Sequence, residues 1–157
     1  MPVTTGIGYD AHRLTEGRPF VLGGVEIPFE RGPEGHSDAD VLAHAVIDAL
    51  LGAAGLGDIG ELFPDTDPAY AGADSIGLLR DVVALLGRRE ILHVDATVLL
   101  ERPKIRDFKE SIRDSLAGAM RVGPDRVNIK ATTGEGMGFI GRQEGVAALA
   151  VATLGCD

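Results

Sequence analysis

From residue 91 to residue 100 the chain alternates strictly: Ile91, His93, Asp95, Thr97 and Leu99 fall on one side of an extended strand, and Leu92, Val94, Ala96, Val98 and Leu100 on the other. The second set is wholly apolar and the first is mixed, so the strand must bury one face and leave the other half covered. Its flanks narrow the fold further. Helical spacing runs from about Asp74 to Leu86, Pro103 opens a turn and a helix to about Met120, and Arg126 to Thr133 predicts another strand. Strands joined through helices favour crossover units on one sheet.

The rest of the chain fits this frame. Val3 to Tyr9 is a strand candidate, and Phe20–Leu22 and Val25–Ile27 flank Gly23-Gly24, a hairpin signal. Ser37 or Asp38 can cap a helix to about Gly52, with an apolar stripe through Val41, Leu42, Ala45, Val46, Ala49 and Leu50. The small-residue run from Arg142 to Leu154 reads as a final helix. The order β-β-β-α-α-β-α-β-α predicts an α/β (α+β) fold: one domain over 1–157, a two-layer sandwich of a mixed sheet with helices on one face. A sheet with one uncovered face invites oligomerisation.

With 45% hydrophobic but 4% aromatic residues, Val, Leu, Ile and Ala must fill the core. Fifteen Lys plus Arg against 24 Asp plus Glu give a net charge of −9, which argues against nucleic acid or an anionic membrane as partner. A phosphorylated substrate would then need a local cation. The single cysteine, Cys156, cannot form an internal disulfide, and the first ten residues lack the charged start and apolar stretch of a secretion signal. The expectation is a mature cytoplasmic enzyme.

Asp10 and His12, two apart on an extended chain, point to the same side and can share a metal. With His44 from the first helix they would make three N/O ligands with an open fourth position, the arrangement of a catalytic zinc. The alternative is an ordinary polar turn and a structural histidine. In His36-Ser37-Asp38-Ala39-Asp40 the acids suit a helix N-terminus, and His36 beside that terminus could hydrogen-bond a phosphate oxygen.

The run Lys130-Ala131-Thr132-Thr133-Gly134-Glu135-Gly136-Met137-Gly138-Phe139-Ile140-Gly141-Arg142 leaves a strand through four glycines, a pattern that suits an anion cradle. It formally matches a dinucleotide fingerprint, but too few residues follow Gly141 for the second strand that fingerprint requires. A carboxylate about 4 Å from a phosphate charge is repelled by roughly 4 kcal/mol at an effective dielectric near 20, so Glu135 in a phosphate cradle calls for a bridging Mg2+ or Mn2+. A solvent-facing loop glutamate is the other reading. Asp58, Asp65 and Asp67, in the turn-rich stretch from Gly52 to Asp67, admit the same two readings, or could bind sugar hydroxyls. Pro103-Lys104-Ile105-Arg106 is either a phosphate or base contact or a solvated basic turn, and His93 is structural or exposed.

Taken in order, Gly8-Tyr9-Asp10-Ala11-His12-Arg13-Leu14, His36-Ser37-Asp38-Ala39-Asp40 with His44, Gly57-Asp58-Ile59-Gly60 with Phe63-Pro64-Asp65-Thr66-Asp67, and Lys130-Ala131-Thr132-Thr133-Gly134-Glu135 with Gly138-Phe139 and Gly141-Arg142 resemble the 2-C-methyl-D-erythritol 2,4-cyclodiphosphate synthase family over essentially the whole chain. Gly134 departs from the hydroxyl or acid expected there. The resemblance implies a homotrimer with interfacial active sites, Zn2+ on Asp10, His12 and His44, and Mg2+ or Mn2+ on Glu135 and substrate phosphates. It implies catalytic roles for His36 and Thr133 on a cytidine diphosphate-linked substrate. Asp58, Ile59, Gly60 and Asp65 would line a methylerythritol pocket, and Ser37, Phe63 and Asp67 would be further substrate contacts. Lys104, Ile105, Arg106, Ala131 and Thr132 would take the cytidine, and Gly134, Phe139 and Arg142 would complete the contacts. The rivals are a metal-dependent hydrolase using water and a non-catalytic nucleotide or metal sensor.

Overall fold

The computed structural model describes residues 2–64 and 66–156. In chain order the elements are β1 (Val3–Glu16), β2 (Phe20–Leu22), β3 (Val25–Ile27), β4 (Arg31–Pro33), α1 (Val41–Ala54), α2 (Ile59–Leu62), α3 (Ser75–Leu85), β5 (Glu90–Leu99), α4 (Lys109–Met120), β6 (Val127–Thr132), α5 (Gly138–Gly141) and β7 (Gly145–Gly155). Five strands form one mixed sheet in the order β4-β1-β7-β5-β6, with β5 and β6 parallel and the other neighbours antiparallel. Helix α1 lies across β1 and β7, α4 packs beside β6, and α3 contacts both helices. One contiguous core, from Phe20 and Leu22 through Leu42, Leu50, Leu79 and Leu116 to Val98 and Leu154, fills the space between the layers. The single-domain α+β sandwich with helices on one face is therefore as expected. On the opposite face Ile7, Tyr9, Leu149 and Val151 stay exposed, Ile7 at 70%.

The last element is not a helix. Residues 145–155 form β7, the central strand, hydrogen-bonded to β1 from Val3↔Gly155 to Arg13↔Gly145 and to β5 on its other edge. An apolar run of this length has no period that separates a buried helix from a buried strand. Its two neighbours decide the matter, and the β-branched Val146, Val151 and Thr153 suit a pleated surface. Strand β1 also runs to Glu16, beyond the expected Tyr9, so Asp10 and His12 sit within a strand rather than past its end.

The contact between α1 and β1 positions the site. Gly6, Gly8, Asp10 and His12 occupy alternate positions of β1, and all four meet the helix layer. A side chain on Gly6 would collide with the backbone of Ala49 and Ala53, and one on Gly8 with the Ala45 carbonyl. Helix α1 can approach the strand because no Cβ stands there, and the next two alternate positions then bring Asp10 and His12 to His44. The N-cap of α1 is Asp40, not Ser37 or Asp38. Its fully buried carboxylate accepts from Ala43 N–H at 3.0 Å and from the hairpin amides of Gly23 and Gly24 at 2.9 and 2.8 Å. Burial pushes the Asp40 carboxyl up, against the three N–H donors that favour its charge.

Candidate metal centre

Asp10 Oδ2 lies 3.0 Å from His12 Nε2 and 3.1 Å from His44 Nδ1, and one ligand atom from each residue falls within 4.8 Å of the others. The hydrogen bonds behind the rings set their tautomers. His12 Nδ1 is 2.8 Å from the Glu34 carbonyl oxygen, which can only accept, so Nδ1 carries the proton and Nε2 presents a lone pair. On His44, Nε2 is 2.8 Å from Ser75 Oγ. The Ser75 hydroxyl donates its one proton to Asp38 Oδ1, so its oxygen accepts from His44 Nε2–H, and Nδ1 is left bare toward Asp10.

Three acceptors therefore converge. His12 Nε2 is buried without a hydrogen-bond partner, although it lies close to the Asp10 carboxylate. Such an arrangement fits a divalent cation, with two neutral imidazoles and one carboxylate each held by an outer partner. Were protons rather than a cation to fill the gap, burial would push the Asp10 carboxyl up, but hydrogen bonds from His12 and His44 would outweigh it and hold the pKa at about 2. Burial likewise pushes His12 down, and Asp10 outweighs it and raises His12 above the usual histidine value.

Ser75 is fully buried, and nothing in the local sequence marks it beyond its place after the α3 cap Asp74. Asp38 accepts from both its hydroxyl and its N–H, the latter at 2.9 Å, and also from Asp40 N–H at 3.2 Å. The chain Asp38–Ser75–His44 joins the loop before α1, the start of α3 and the metal site. Ser37 Oγ also lies 3.4 Å from His44 Nε2, so Ser75→Ala removes the nearer of two acceptors for that N–H, and metal affinity is expected to fall about 10- to 100-fold in chelator competition. Unchanged affinity would show that the hydroxyl does not orient the ring. Arg18 is a second residue the sequence left unmarked: its guanidinium donates to the Pro33 and Ser37 carbonyls at 2.8 and 3.1 Å and staples the loop that carries His36.

Around the triad opens a cavity of about 310 Å³ that also takes in His36, Ser37, Ile59, Gly60, Phe63, Pro64, Tyr70 and Leu78. The turn-rich stretch holds α2, and a 3-10 turn over Pro68–Tyr70 follows it. Asp58 caps α2 through Glu61 N–H at 2.9 Å, and Asp67 caps the turn through Ala69 N–H at 2.9 Å. Asp48 on α1 accepts from Ile59 N–H at 2.8 Å and ties α2 to the metal-bearing helix. Its carboxyl is raised by burial, despite that N–H, with the Asp58 and Asp10 charges adding to the rise. His36 Nε2 donates toward the Asp67 carbonyl at 3.3 Å. Asp65 lies outside the described residues.

Lys104, Ile105, Arg106, Ala131, Thr132 and Thr133 line a different cavity, of about 280 Å³, between β6 and the segment leading to α4. Paired residues across the sheet run Asp10↔Ala148↔Val98↔Ala131, so three strand spacings, roughly 14 Å, separate the two cavities in one chain. The glycine loop is less open than its composition suggests. The N–H groups of Gly134, Glu135, Met137, Gly141 and Arg142 all donate within the protein. Glu135 N–H goes to Thr133 Oγ at 3.1 Å, which leaves the Thr133 hydroxyl proton free to donate outward. Glu135 itself has a positive φ of 53° and stands apart from the triad. A Cβ on Gly134 would lie 2.7 Å from Gly141 N and 2.8 Å from the Met137 carbonyl, so the tight loop accounts for glycine where a larger residue was expected. Phe139 borders a third hollow beside His12, Arg13 and Glu144, and Arg142 pairs with Glu144 at 2.8 Å.

The model of the YgbB family matches residues 3–155. The 2-C-methyl-D-erythritol 2,4-cyclodiphosphate synthase of Symbiobacterium thermophilum is 61% identical over 152 residues, 95% of this chain and 96% of that protein. A solved 2C-methyl-D-erythritol-2,4-cyclodiphosphate synthase in its CDP-bound form superposes with a TM-score of 0.88 at 42% identity, covering 96% of this chain and 99% of that one. The bifunctional IspDF of Campylobacter jejuni superposes at 0.94 with 44% identity, and 98% of this chain corresponds to 42% of that longer protein. Matched in sequence and in fold along nearly its whole length, the chain belongs to the YgbB family, with the 2-C-methyl-D-erythritol 2,4-cyclodiphosphate synthases.

Proposed function

We propose that the protein, as one synthase domain over 1–157, cyclises 4-diphosphocytidyl-2-C-methyl-D-erythritol 2-phosphate in the non-mevalonate isoprenoid pathway. An oxygen of the 2-phosphate bonds to the β-phosphorus, the bond from that phosphorus to the α,β-bridging oxygen breaks, and CMP leaves beside 2-C-methyl-D-erythritol 2,4-cyclodiphosphate. The observation that carries this reading is the convergence of Asp10, His12 and His44 in the wall of the 310 Å³ cavity.

Asp10, His12 and His44 would hold Zn2+, and Glu135 would hold Mg2+ or Mn2+ together with substrate phosphates. When bound, these cations supply Lewis acidity toward the phosphate oxygens and neutralise their charge. The protein's own groups do the positioning. The free proton of the Thr133 hydroxyl is suited to donate to phosphate oxygens as charge builds on them, and His36, with Ser37 beside it, would join it by exchanging the Asp67 carbonyl for a phosphate oxygen. Asp58, Ile59, Gly60, Phe63 and Asp67 would form the methylerythritol side, and Asp65 is a contact the family resemblance implies. Lys104, Ile105, Arg106, Ala131 and Thr132 form the cytidine side, with Gly134, Phe139 and Arg142 completing the contacts. A phosphate monoester is already a competent nucleophile near neutral pH, so alignment supplies much of the acceleration and no tuned base is required.

The two cavities lie on opposite sides of the sheet's middle strands, and a substrate gripped by both is best served when the β6 side of one chain meets the β1 side of another. The bare face of Ile7, Tyr9, Leu149 and Val151 supplies apolar area for that association. Both features support a homotrimer with interfacial sites. A net charge of −9 disfavours nucleic acid and anionic membranes, and no helix among the described residues is long and apolar enough to cross a membrane.

Phosphorus NMR of a reaction with Zn2+ and Mg2+ tests the reading directly. CMP appearing in step with a cyclic diphosphate is the expected result. Two acyclic phosphates would make the protein a hydrolase, and CDP binding without turnover would make it a sensor.

A further inference from the structure

We propose that Glu101 is a positioning residue: its carboxylate, by accepting the Gly134 N–H, sets where Thr133 and Glu135 stand relative to the Lys104 wall of the smaller cavity. This rests on the reading above, in which Thr133 and Glu135 serve the phosphates. The parallel ladder of β5 and β6 ends where Leu100 N–H donates to the Thr132 carbonyl at 3.0 Å. Beyond that rung no β-ladder pairing joins the two chain segments, and the next residue on one side, Glu101, reaches across to the second residue on the other, Gly134. The side chain thus extends the ladder by one contact at the point where the glycine loop begins.

Two features give that contact leverage. Past Gly134 the backbone turns through positive φ at Glu135, Gly136 and Gly138, at 53°, 74° and 68°, so the direction of the loop depends on how its first residue is held. Glu101 is also followed within three residues by Pro103 and Lys104, which line the same cavity as Thr132 and Thr133. One carboxylate therefore ties together the wall that would take the base and the loop that would take the phosphates. Among the described residues Glu101 forms no ion pair, and a backbone amide is the partner that holds it. What the position needs is an acceptor, which an amide oxygen also provides, rather than a negative charge.

The test compares Glu101→Ala, Glu101→Gln and Glu101→Met in the whole protein, with two readouts. Hydrogen exchange over residues 133–137 reports the loop without reference to any substrate; it is expected to quicken at least ten-fold in Glu101→Ala and Glu101→Met and to stay near wild type in Glu101→Gln. The rate of cyclic diphosphate formation should fall at least ten-fold in kcat for Ala and Met, with metal content at the triad unchanged, and stay within about three-fold for Gln. Met fills the space of the glutamate without an acceptor, so it carries the same expectation where Ala loosens the packing. Wild-type exchange and kcat in Ala and Met would overturn the inference, as would a Gln variant as impaired as Ala. A wild-type protein that forms no cyclic diphosphate would instead overturn the proposed function, and the exchange data would still report whether Glu101 holds the loop.

Discussion

His12→Ala and His44→Ala will each lose the bound metal and about a thousand-fold or more in kcat while the protein stays folded. Lewis-acid stabilisation of phosphate oxygens is worth several kcal/mol, and about 4 kcal/mol corresponds to a thousand-fold in rate. With either imidazole gone, two ligands remain where three converge, and Asp10 loses one of the two partners that offset its burial. Neither histidine belongs to the hydrophobic core, so the cost falls on the site rather than on the fold. Metal content by elemental analysis, circular dichroism and kcat from the same preparation check the claim together. Stoichiometric metal in either variant would remove that histidine from the ligand set.

Gly8→Ala will destabilise the protein by about 3 kcal/mol, near the upper end of the usual overpacking penalty. At about 2–4 °C per kcal/mol for a chain of this size, the melting temperature should fall by roughly 6–12 °C. The reason is directional. A methyl group on Gly8 points into the Ala45 carbonyl, and α1 cannot retreat without carrying His44 away from Asp10. Gly52→Ala is the matched control. A Cβ at Gly52 finds its nearest neighbour 3.6 Å away at Gly6 Cα, and replacing a helical glycine gains about 0.5–1 kcal/mol. The two substitutions should therefore move urea midpoints in opposite directions, and a Gly8→Ala protein as stable as wild type would mean that the helix does not depend on this close approach.

These two glycines mark where legibility ends. Both are visible in the sequence, yet nothing local separates the one pressed against a carbonyl from the one with room to spare. Other parts of the site were readable because their meaning is local. Asp10 and His12 share a side of any extended chain, and the acids at 38 and 40 suit a helix start in any fold. The hairpin at Gly23-Gly24 forms with Phe20 opposite Ile27, as its turn chemistry requires.

Elsewhere local pattern misled or stayed silent. The small-residue run before the C-terminus has the composition of a packed helix and became the middle strand, because two long partners offered it hydrogen bonds on both edges. Ser75 and Glu101 carry no signal of their own. Each acts on a residue more than thirty positions away, His44 in one case and Gly134 in the other.

Residue types and their short-range spacing were enough to specify the strand alternation, the hairpin, the ligand pair on β1 and the acidic helix start, since backbone geometry alone puts those groups on one side or at one end. Which segments lie beside one another, which histidine nitrogen is bare, and which glycine has no room for a methyl group were decided by packing. Those properties depend on contacts between distant parts of the chain, and such contacts exist only once the sheet has closed around β7 and α1 has settled against β1.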